Sequence, residues 1–169
     1  MSNWNDRVRW QGLLDGSGCP ICVRGEPLDI IAGLSSSWLT MPERAAVAGY
    51  VCLVSRVHAV ELHDLTDAQA ASFMRDVQRV SAGVSRVTAA VKLNYEIHGN
   101  VLPHLHMHFF PRHVGDRFEG RPIDPGLAEP VYAAGQYHAI RERLVRELGA
   151  EVERGVAQHG GETEGSAAR

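Results

Sequence analysis

The stretch PHLHMHFFPR, residues 103–112, places three of the chain's nine histidines at every second position. Side chains alternate between the two faces of a β-strand, so His104, His106 and His108 are predicted to share one face, about 6–7 Å apart. Three histidines in phase favour a chemical site over three separately satisfied side chains, because an unsatisfied buried imidazole costs about 1–3 kcal/mol. A metal ion bound by all three is the other interpretation.

The segments around this stretch predict an α+β domain with a largely antiparallel sheet and helix cover. Runs of β-branched and aromatic residues between turn signals predict four strands, over 28–39, 49–55, 91–97 and 104–110. Apolar residues at helical spacing predict helices over 67–90 and 135–148, the first of them capped by Thr66. Residues 113–130 contain three prolines and three glycines and are predicted to form a loop.

The chain is predicted to form a single domain, which its 169 residues suit. We expect this domain to span residues 19–148. Residues 1–18 are interpreted as a lead-in and residues 149–169, which end in GETEGSAAR, as a flexible tail.

Charge and hydropathy exclude several classes of partner. The formal net charge is −3 and there is no long run of lysine and arginine, so neither a nucleic acid polymer nor a membrane surface is expected as a partner. The first residues, MSNWNDRVRW, lack the apolar core of a signal peptide. The sequence has no run of 18 apolar residues, so no transmembrane helix is predicted. A cytoplasmic location is therefore predicted.

Two of the three cysteines form the motif C-P-I-C, at Cys19 and Cys22. An odd number of cysteines in a chain without an export signal argues against a disulfide framework. The pair is interpreted as half of a tetrahedral zinc site, with an inert buried pair and a redox motif as alternatives. His58 and His104 are the candidates for the remaining ligands, since two cysteines with two histidines form a common structural zinc set.

The sequence resembles the histidine triad (HIT) family in three separated motifs. HLHMHFF, residues 104–110, matches the family motif His-φ-His-φ-His-φ-φ, with φ apolar, at every position and is followed by Pro-Arg. GYVCLVSRVH at 49–58, with ELHDL at 61–65, is similar to the family's strand, histidine and helix entry. Zinc-bearing members add an N-terminal C-x-x-C, as here. The resemblance covers about residues 19–112.

This resemblance implies a nucleotide-binding domain that forms homodimers and hydrolyses or transfers nucleoside monophosphates. The family's substrates are dinucleoside polyphosphates, nucleoside phosphoramidates or related compounds. By motif position, His106 is expected to attack the α-phosphorus and form a nucleotidyl-histidine intermediate, a role that neutral imidazole can fill near pH 7. His108 is expected to contact phosphate oxygens or assist the leaving group. His104 occupies the position that binds structural zinc in the zinc-bearing members.

The resemblance also suggests which residues contact the nucleotide. Asn94 and Asn100 are candidates for polar contacts to the phosphate or leaving-group side, with ordinary strand and turn roles as alternatives. Glu43 is the nearest substitute for a ribose-binding Asp or Asn that the family carries in this loop. Leu34 and Trp38 are candidates for an apolar base pocket, with plain core packing as the alternative.

Two departures from the family motivate a second function. Several members carry Ser or Thr at the position of Val101, where it helps the leaving group, and a valine side chain cannot donate a hydrogen bond. Val101 and the missing Asp or Asn near Glu43 therefore suggest an alternative function. The alternative is a zinc-stabilised nucleotide-binding module with little catalytic activity. A metal-dependent hydrolase is disfavoured, because no carboxylate pair flanks the triad strand.

Overall fold

A five-stranded antiparallel sheet with a long helix on one face forms the centre of the computed structural model, which describes residues 3–124, 126–127 and 129–149. The helices are α1 (Arg7–Leu14), α2 (Pro20–Arg24), α3 (Asp67–Thr88) and α4 (Gln136–Leu148). The strands are β1 (Ile30–Gly33), β2 (Ser37–Thr40), β3 (Arg44–Ala45), β4 (Val51–Ser55), β5 (Lys92–Ile97), β6 (His106–Arg112) and β7 (Glu129–Pro130). The predicted α+β class is confirmed.

The main sheet has the strand order β1-β2-β4-β6-β5, and every neighbouring pair is antiparallel. The triad strand β6 therefore lies between β4 and β5. A second, two-stranded sheet pairs β3 with β7. β7 lies within residues 113–130, which were expected to contain no strand.

The prediction of a single strand over residues 28–39 is wrong, because this segment folds back on itself as the hairpin of β1 and β2. The Leu34 N–H donates to the Ser37 carbonyl at 2.8 Å and closes the turn. Residues 35–37 are three consecutive serines, whose short polar side chains favour a turn over a continuing strand.

A buried carboxylate on α3 holds this serine turn in place. The Oδ2 atom of Asp76 accepts from the Ser36 N–H at 2.9 Å and from the Ser36 and Ser37 hydroxyls at 2.7 Å each. Its Oδ1 atom accepts from the Ser35 hydroxyl at 3.0 Å. Burial opposes ionisation of Asp76, but the hydrogen bonds outweigh it and lower the pKa of the carboxyl below its ordinary value.

We therefore expect Asp76→Ala to lower the free energy of unfolding by about 3 kcal/mol, because it leaves three serine hydroxyls without their charged acceptor. Since the folded pKa is depressed, the stabilisation by Asp76 is present above the unfolded pKa and is lost as pH falls through the folded one. Urea unfolding measures the change. The exposed Asp67 at the start of the same helix is the control, and Asp67→Ala should cost less than about 1 kcal/mol. Equal effects of the two substitutions would contradict the anchoring role.

The two faces of the sheet bury different sets of residues, as the alternation of a strand requires. Leu53 of β4 and Met107 and Phe109 of β6 belong to the main core cluster, which includes the buried face of α3. Cys52 and Val54 face the other way and join a smaller cluster with Cys19, Ile21 and Trp38. Residues of β6 at even positions therefore lie on the face away from α3.

The two long helices agree with the predictions to within two residues at each end. Thr66 caps α3, and its side chain and that of Gln69 form the reciprocal capping pair. α4 packs against α3 at Gly83, where a Cβ atom would lie 3.1 Å from Cδ2 of Leu148. Glycine thus permits a close approach of the two helices.

The predicted lead-in contains α1, in which Leu13 is buried. The predicted tail lies, from residue 150 onward, outside the described residues. Among the helices in the described ranges, none has both the length and the apolar character needed to cross a membrane.

Candidate active site and metal centre

The triad histidines divide into two groups, because β6 begins at His106 and not at His104. The His104 N–H donates to the Leu102 carbonyl at 2.9 Å, and this tight turn keeps residue 104 out of the strand ladder. His106 and His108 follow the ladder and lie on the face away from α3. The expectation of three histidines on one strand face therefore holds for two of them, while the buried His104 ring points at the cysteines.

Two thiols and two imidazoles meet beside the sheet in what we call the Cys2His2 cluster: Cys19, Cys22, His58 and His104. Their nearest ligand atoms all lie within 4.8 Å of one another. Cys19 Sγ is 3.5 Å from His104 Nδ1, and Cys22 Sγ is 3.3 Å from His58 Nδ1. The two Nδ1 atoms are 3.3 Å apart. The structure thus brings together all four residues that the sequence suggested as metal ligands.

Main-chain carbonyls determine which ring nitrogen each histidine presents to the cluster. His104 Nε2 donates to the Ser55 carbonyl and His58 Nε2 donates to the Leu14 carbonyl, each at 2.9 Å. Both rings therefore keep an unprotonated Nδ1 for a metal ion. Ligand atoms around tetrahedral zinc lie about 3.3–3.8 Å apart. The Sγ–Nδ1 and Nδ1–Nδ1 distances of 3.3–3.7 Å in the cluster, together with the donor types, fit a zinc ion.

Local structure explains how distant residues assemble this cluster. Cys19 precedes the one-turn helix α2, and Pro20 at its first position sets the φ angle that starts the turn. Cys22 then returns to the same side after one turn. His58 follows β4 and His104 precedes β6, and these two strands are antiparallel neighbours. The two histidines therefore meet at the same end of the sheet.

One hydrogen bond determines which ring nitrogen of His106 carries the proton. The Nδ1–H of His106 donates to the His104 carbonyl at 2.6 Å, which leaves Nε2 with a free lone pair. Burial lowers the pKa of His106, against the opposing effect of this carbonyl, and nearby His98 lowers it further. The ring is consequently neutral near pH 7 and able to act as a nucleophile.

His108 is held in the opposite tautomer. The Tyr50 hydroxyl lies 2.7 Å from His108 Nδ1. Because a phenol is a stronger donor than a neutral imidazole N–H, we assign the shared proton to Tyr50 and the ring proton of His108 to Nε2. Burial, with smaller contributions from His106 and His98, lowers the pKa of His108 to about 4. His108 is therefore a neutral hydrogen-bond donor near pH 7, not an imidazolium.

Both histidines line a cavity of about 570 Å³, which we call the triad cavity. Its size suits a nucleotide-sized ligand. Much of the wall is apolar, and it includes Ile21, Pro42, Val54, Val101 and Leu102. Polar groups join this wall at Asp29, Thr40, Tyr50, His98 and Asn100.

Of the three residues predicted to contact the nucleotide, one lines this cavity and two do not. Asn100 lines it, in the loop before the triad. Asn94 lies on the same sheet face as His108 but nearer the other end of β5, where it lines a separate cavity of about 450 Å³. There its Oδ1 accepts from Arg112 Nη1 at 3.4 Å. Glu43 is exposed and is not among the residues that line the triad cavity.

The two residues suggested for the base pocket are buried elsewhere. Leu34 belongs to the main core cluster beneath α3. Trp38 packs in the smaller cluster beside Cys19, with the Arg56 guanidinium 4.8 Å above its ring. Core packing therefore accounts for both side chains.

Sequence reasoning missed three polar residues of the triad cavity: Asp29, Tyr50 and His98. Asp29 precedes β1 with a φ of +57°, an unusual conformation for a residue with a side chain. Tyr50 lies two residues before Cys52, whose strand partner is His108. The alternation of β5 places Glu96 on one face with Asn94, a signal that could have drawn attention to His98 two residues on.

Comparison with known proteins gives consistent results. The family model described as HIT domain matches residues 29–115. A histidine triad protein from Bradyrhizobium japonicum is 31% identical, with 70% of this chain and 89% of that chain covered and a TM-score of 0.64. A zinc-bound histidine triad family protein from Mycobacterium smegmatis is 20% identical, with coverages of 77% and 95% and a TM-score of 0.57.

A third similar structure is a hypothetical histidine triad nucleotide-binding protein from Sulfolobus tokodaii. It is 18% identical, with 78% of this chain and 90% of that chain covered and a TM-score of 0.59. No curated protein matches this chain.

Proposed function

The chain belongs to the histidine triad (HIT) family, and we propose that it is a nucleotidyl hydrolase or transferase that attacks the α-phosphate of its substrate with His106. The observation that carries the proposal is the 2.6 Å hydrogen bond from His106 Nδ1 to the His104 carbonyl. It leaves a lone pair on Nε2 of a buried, neutral imidazole at the wall of a nucleotide-sized cavity.

The triad cavity provides a complementary partner for each part of a nucleotide. Its apolar wall, with Ile21 and Leu102, suits a nucleobase, whose flat faces gain by leaving water. The Asp29 carboxylate can accept hydrogen bonds from the two hydroxyls of a ribose. Asn100 and His108 then lie with His106 on the phosphate side. We propose Asp29 for the sugar contact in place of Glu43.

The reaction proceeds in two displacements at phosphorus. In the first, the His106 Nε2 lone pair attacks the α-phosphorus and the bond to the leaving group breaks, which gives a nucleotidyl-histidine. In the second, water attacks the same phosphorus and the electron pair of the P–N bond returns to Nε2. His108 Nε2–H donates to a phosphate oxygen as negative charge develops there. The substrates are dinucleoside polyphosphates or nucleoside phosphoramidates.

The Cys2His2 cluster is connected to this site through His104. A bound zinc ion would supply structural stability and would be held by the two thiolates and the two Nδ1 atoms. His104 joins the two sites, because its ring faces the cluster and its carbonyl orients His106. One of the four residues that would hold the metal therefore also orients the nucleophile.

A second candidate function is a zinc-stabilised nucleotide-binding module with little turnover. The observation that favours it is Val101, which lines the triad cavity and has a side chain with no group that could assist a leaving group. This module would bind nucleotide at the same wall and release no product.

Incubation of the purified chain with a panel of dinucleoside polyphosphates and adenosine phosphoramidate tests the proposal. We expect a nucleoside monophosphate as product, detected by chromatography, and the preferred compound identifies the substrate class. Calorimetry with the same nucleotides gives binding in parallel. Binding without release of monophosphate from any compound would favour the binding module over the enzyme.

A further inference from the structure

A histidine that lines the triad cavity and the carboxylate hydrogen-bonded to it have no role in the reaction described so far. His98 lines the cavity just after β5, and its Nε2 lies 2.9 Å from Oε2 of Glu96. We infer that His98, oriented by Glu96, is the group that gives a proton to the leaving group and takes one from the attacking water. This inference rests on the proposed function.

The position of the pair suits proton transfer at the reacting phosphate. Glu96 lies directly across the β5–β6 ladder from His108, so the pair stands beside the triad. The ring centroids of His98 and His108 are 5.5 Å apart. Within the described part of the chain, the titratable groups that face His98 are Glu96 near the end of β5 and His106 and His108 on β6.

Glu96 gives His98 the features of a general acid–base group. Its carboxylate accepts from His98 Nε2, so the exchangeable proton is on Nδ1. A carboxylate in this position orients the imidazole and compensates the charge that the ring gains on protonation. The Glu96 side chain is 19% exposed and that of His98 is 40% exposed, so the ring can exchange its proton with solvent between turnovers.

Three titratable groups close to the triad are poorly matched to proton transfer near pH 7. Burial lowers the pKa of His108 to about 4, so this ring is not an imidazolium at neutral pH. Burial raises the pKa of Cys52 to about 12 and raises that of Tyr50 far above its ordinary value. These three groups can donate or accept hydrogen bonds but do not exchange protons readily at neutral pH.

His98 accounts for the protons that are transferred in the two steps. In the first step His98 imidazolium gives its Nδ1 proton to the departing oxygen or nitrogen as the bond to phosphorus breaks. In the second step neutral His98 takes a proton from water at Nδ1 while the water oxygen bonds to phosphorus. The pair thereby returns to its starting state, and the sum of the two steps is hydrolysis.

The dependence of the rate on the leaving group tests this role. Two aryl esters of adenosine monophosphate serve as probes: the p-nitrophenyl ester, whose leaving group departs without a proton, and the phenyl ester, whose leaving group needs one. First-turnover release of the phenol isolates the first step. The proteins compared are wild type, His98→Asn, Glu96→Gln and, as a matched control, His63→Asn, whose parent side chain is 84% exposed.

We expect His98→Asn to slow first-turnover release from the phenyl ester about 100-fold and release from the p-nitrophenyl ester by much less. Glu96→Gln keeps the size of the side chain and should show the same selectivity, with a smaller loss. His63→Asn should match wild type with both esters. A similar loss with both esters, or no loss with either, would overturn the inference, whereas absence of turnover by wild type would overturn the proposed function itself.

Discussion

Replacement of His106 by alanine is expected to reduce turnover at least about 10³-fold while nucleotide binding and folding are retained. The substitution removes the imidazole that we propose as the nucleophile, while the His104 carbonyl that orients it is a main-chain group and is retained. No other histidine of the triad can replace it, because Nδ1 of His108 is occupied by Tyr50 and its Nε2 carries the proton. Steady-state assays with the preferred substrate measure turnover, and calorimetry with the product monophosphate measures nucleotide binding.

His63→Ala is the matched control for this experiment, because that side chain is 84% exposed and lies outside the triad cavity. It should leave turnover unchanged within about twofold. A His106→Ala protein that keeps more than about a tenth of wild-type turnover would show that the ring is not the nucleophile.

Removal of the metal is the second prediction with a large effect. We expect the purified chain to contain about one zinc ion per molecule, and a strong chelator to lower the thermal midpoint by more than about 10 °C. Zinc would join α2 to the ends of β4 and β6, so its loss leaves buried sulfur and imidazole groups without their common partner. Elemental analysis and a thermal unfolding scan measure metal content and stability.

Cysteine variants separate the metal effect from general destabilisation. Cys19→Ser should abolish zinc binding, because a serine hydroxyl is a poor zinc ligand. Cys52→Ser is the matched control: Cys52 is also buried but lies outside the Cys2His2 cluster, so its zinc content should remain that of wild type. Equal zinc content in both variants, or a chain isolated without metal whose midpoint does not respond to chelator, would contradict the assigned site.

Removal of the metal is also expected to affect turnover, because His104 belongs to both sites. Its ring belongs to the Cys2His2 cluster, and its carbonyl accepts from His106 Nδ1. Chelation at a temperature where the chain stays folded should therefore slow turnover more than it weakens nucleotide binding. This differs from a metal-dependent hydrolase, in which chelation stops the reaction without loss of stability.

Period-two and helical patterns made the main elements predictable from the sequence. The alternation in residues 104–110 predicted the triad strand, and capping by Thr66 predicted the start of α3 to the residue. The strand over 28–39 was mispredicted because a run of serines reads as a polar strand surface. Their turn depends on Asp76, about 40 residues away, which no local pattern reveals.

Parts of the candidate site whose geometry follows from sequence spacing could be predicted. Parts whose geometry depends on which strands pair could not. C-x-x-C and the two histidines could be proposed as a cluster from their chemistry alone. Asn94 could not be separated from Asn100 in this way, since only the β5–β6 register shows that Asn94 lies opposite Phe110, away from His106. The homodimer, the cytoplasmic location and the domain boundary at residue 149 stay predictions.

The roles of Tyr50 and Asp29 depend on long-range contacts. Tyr50 meets His108 only because β4 and β6 are neighbours, and Asp29 reaches the cavity only because the hairpin of β1 and β2 folds back. Side chains contributed by neighbouring strands carry no mark in the sequence that distinguishes them from ordinary surface residues. Structure was needed to find them.

The stereochemical course at phosphorus tests the central claim most directly. A dinucleoside polyphosphate made chiral at the α-phosphorus with sulfur can be hydrolysed in heavy-oxygen water, and the configuration of the released nucleoside phosphorothioate determined. Two displacements through a nucleotidyl-His106 intermediate each invert the phosphorus, so the account predicts overall retention. Inversion would show a single direct attack by water and would contradict His106 as a covalent nucleophile.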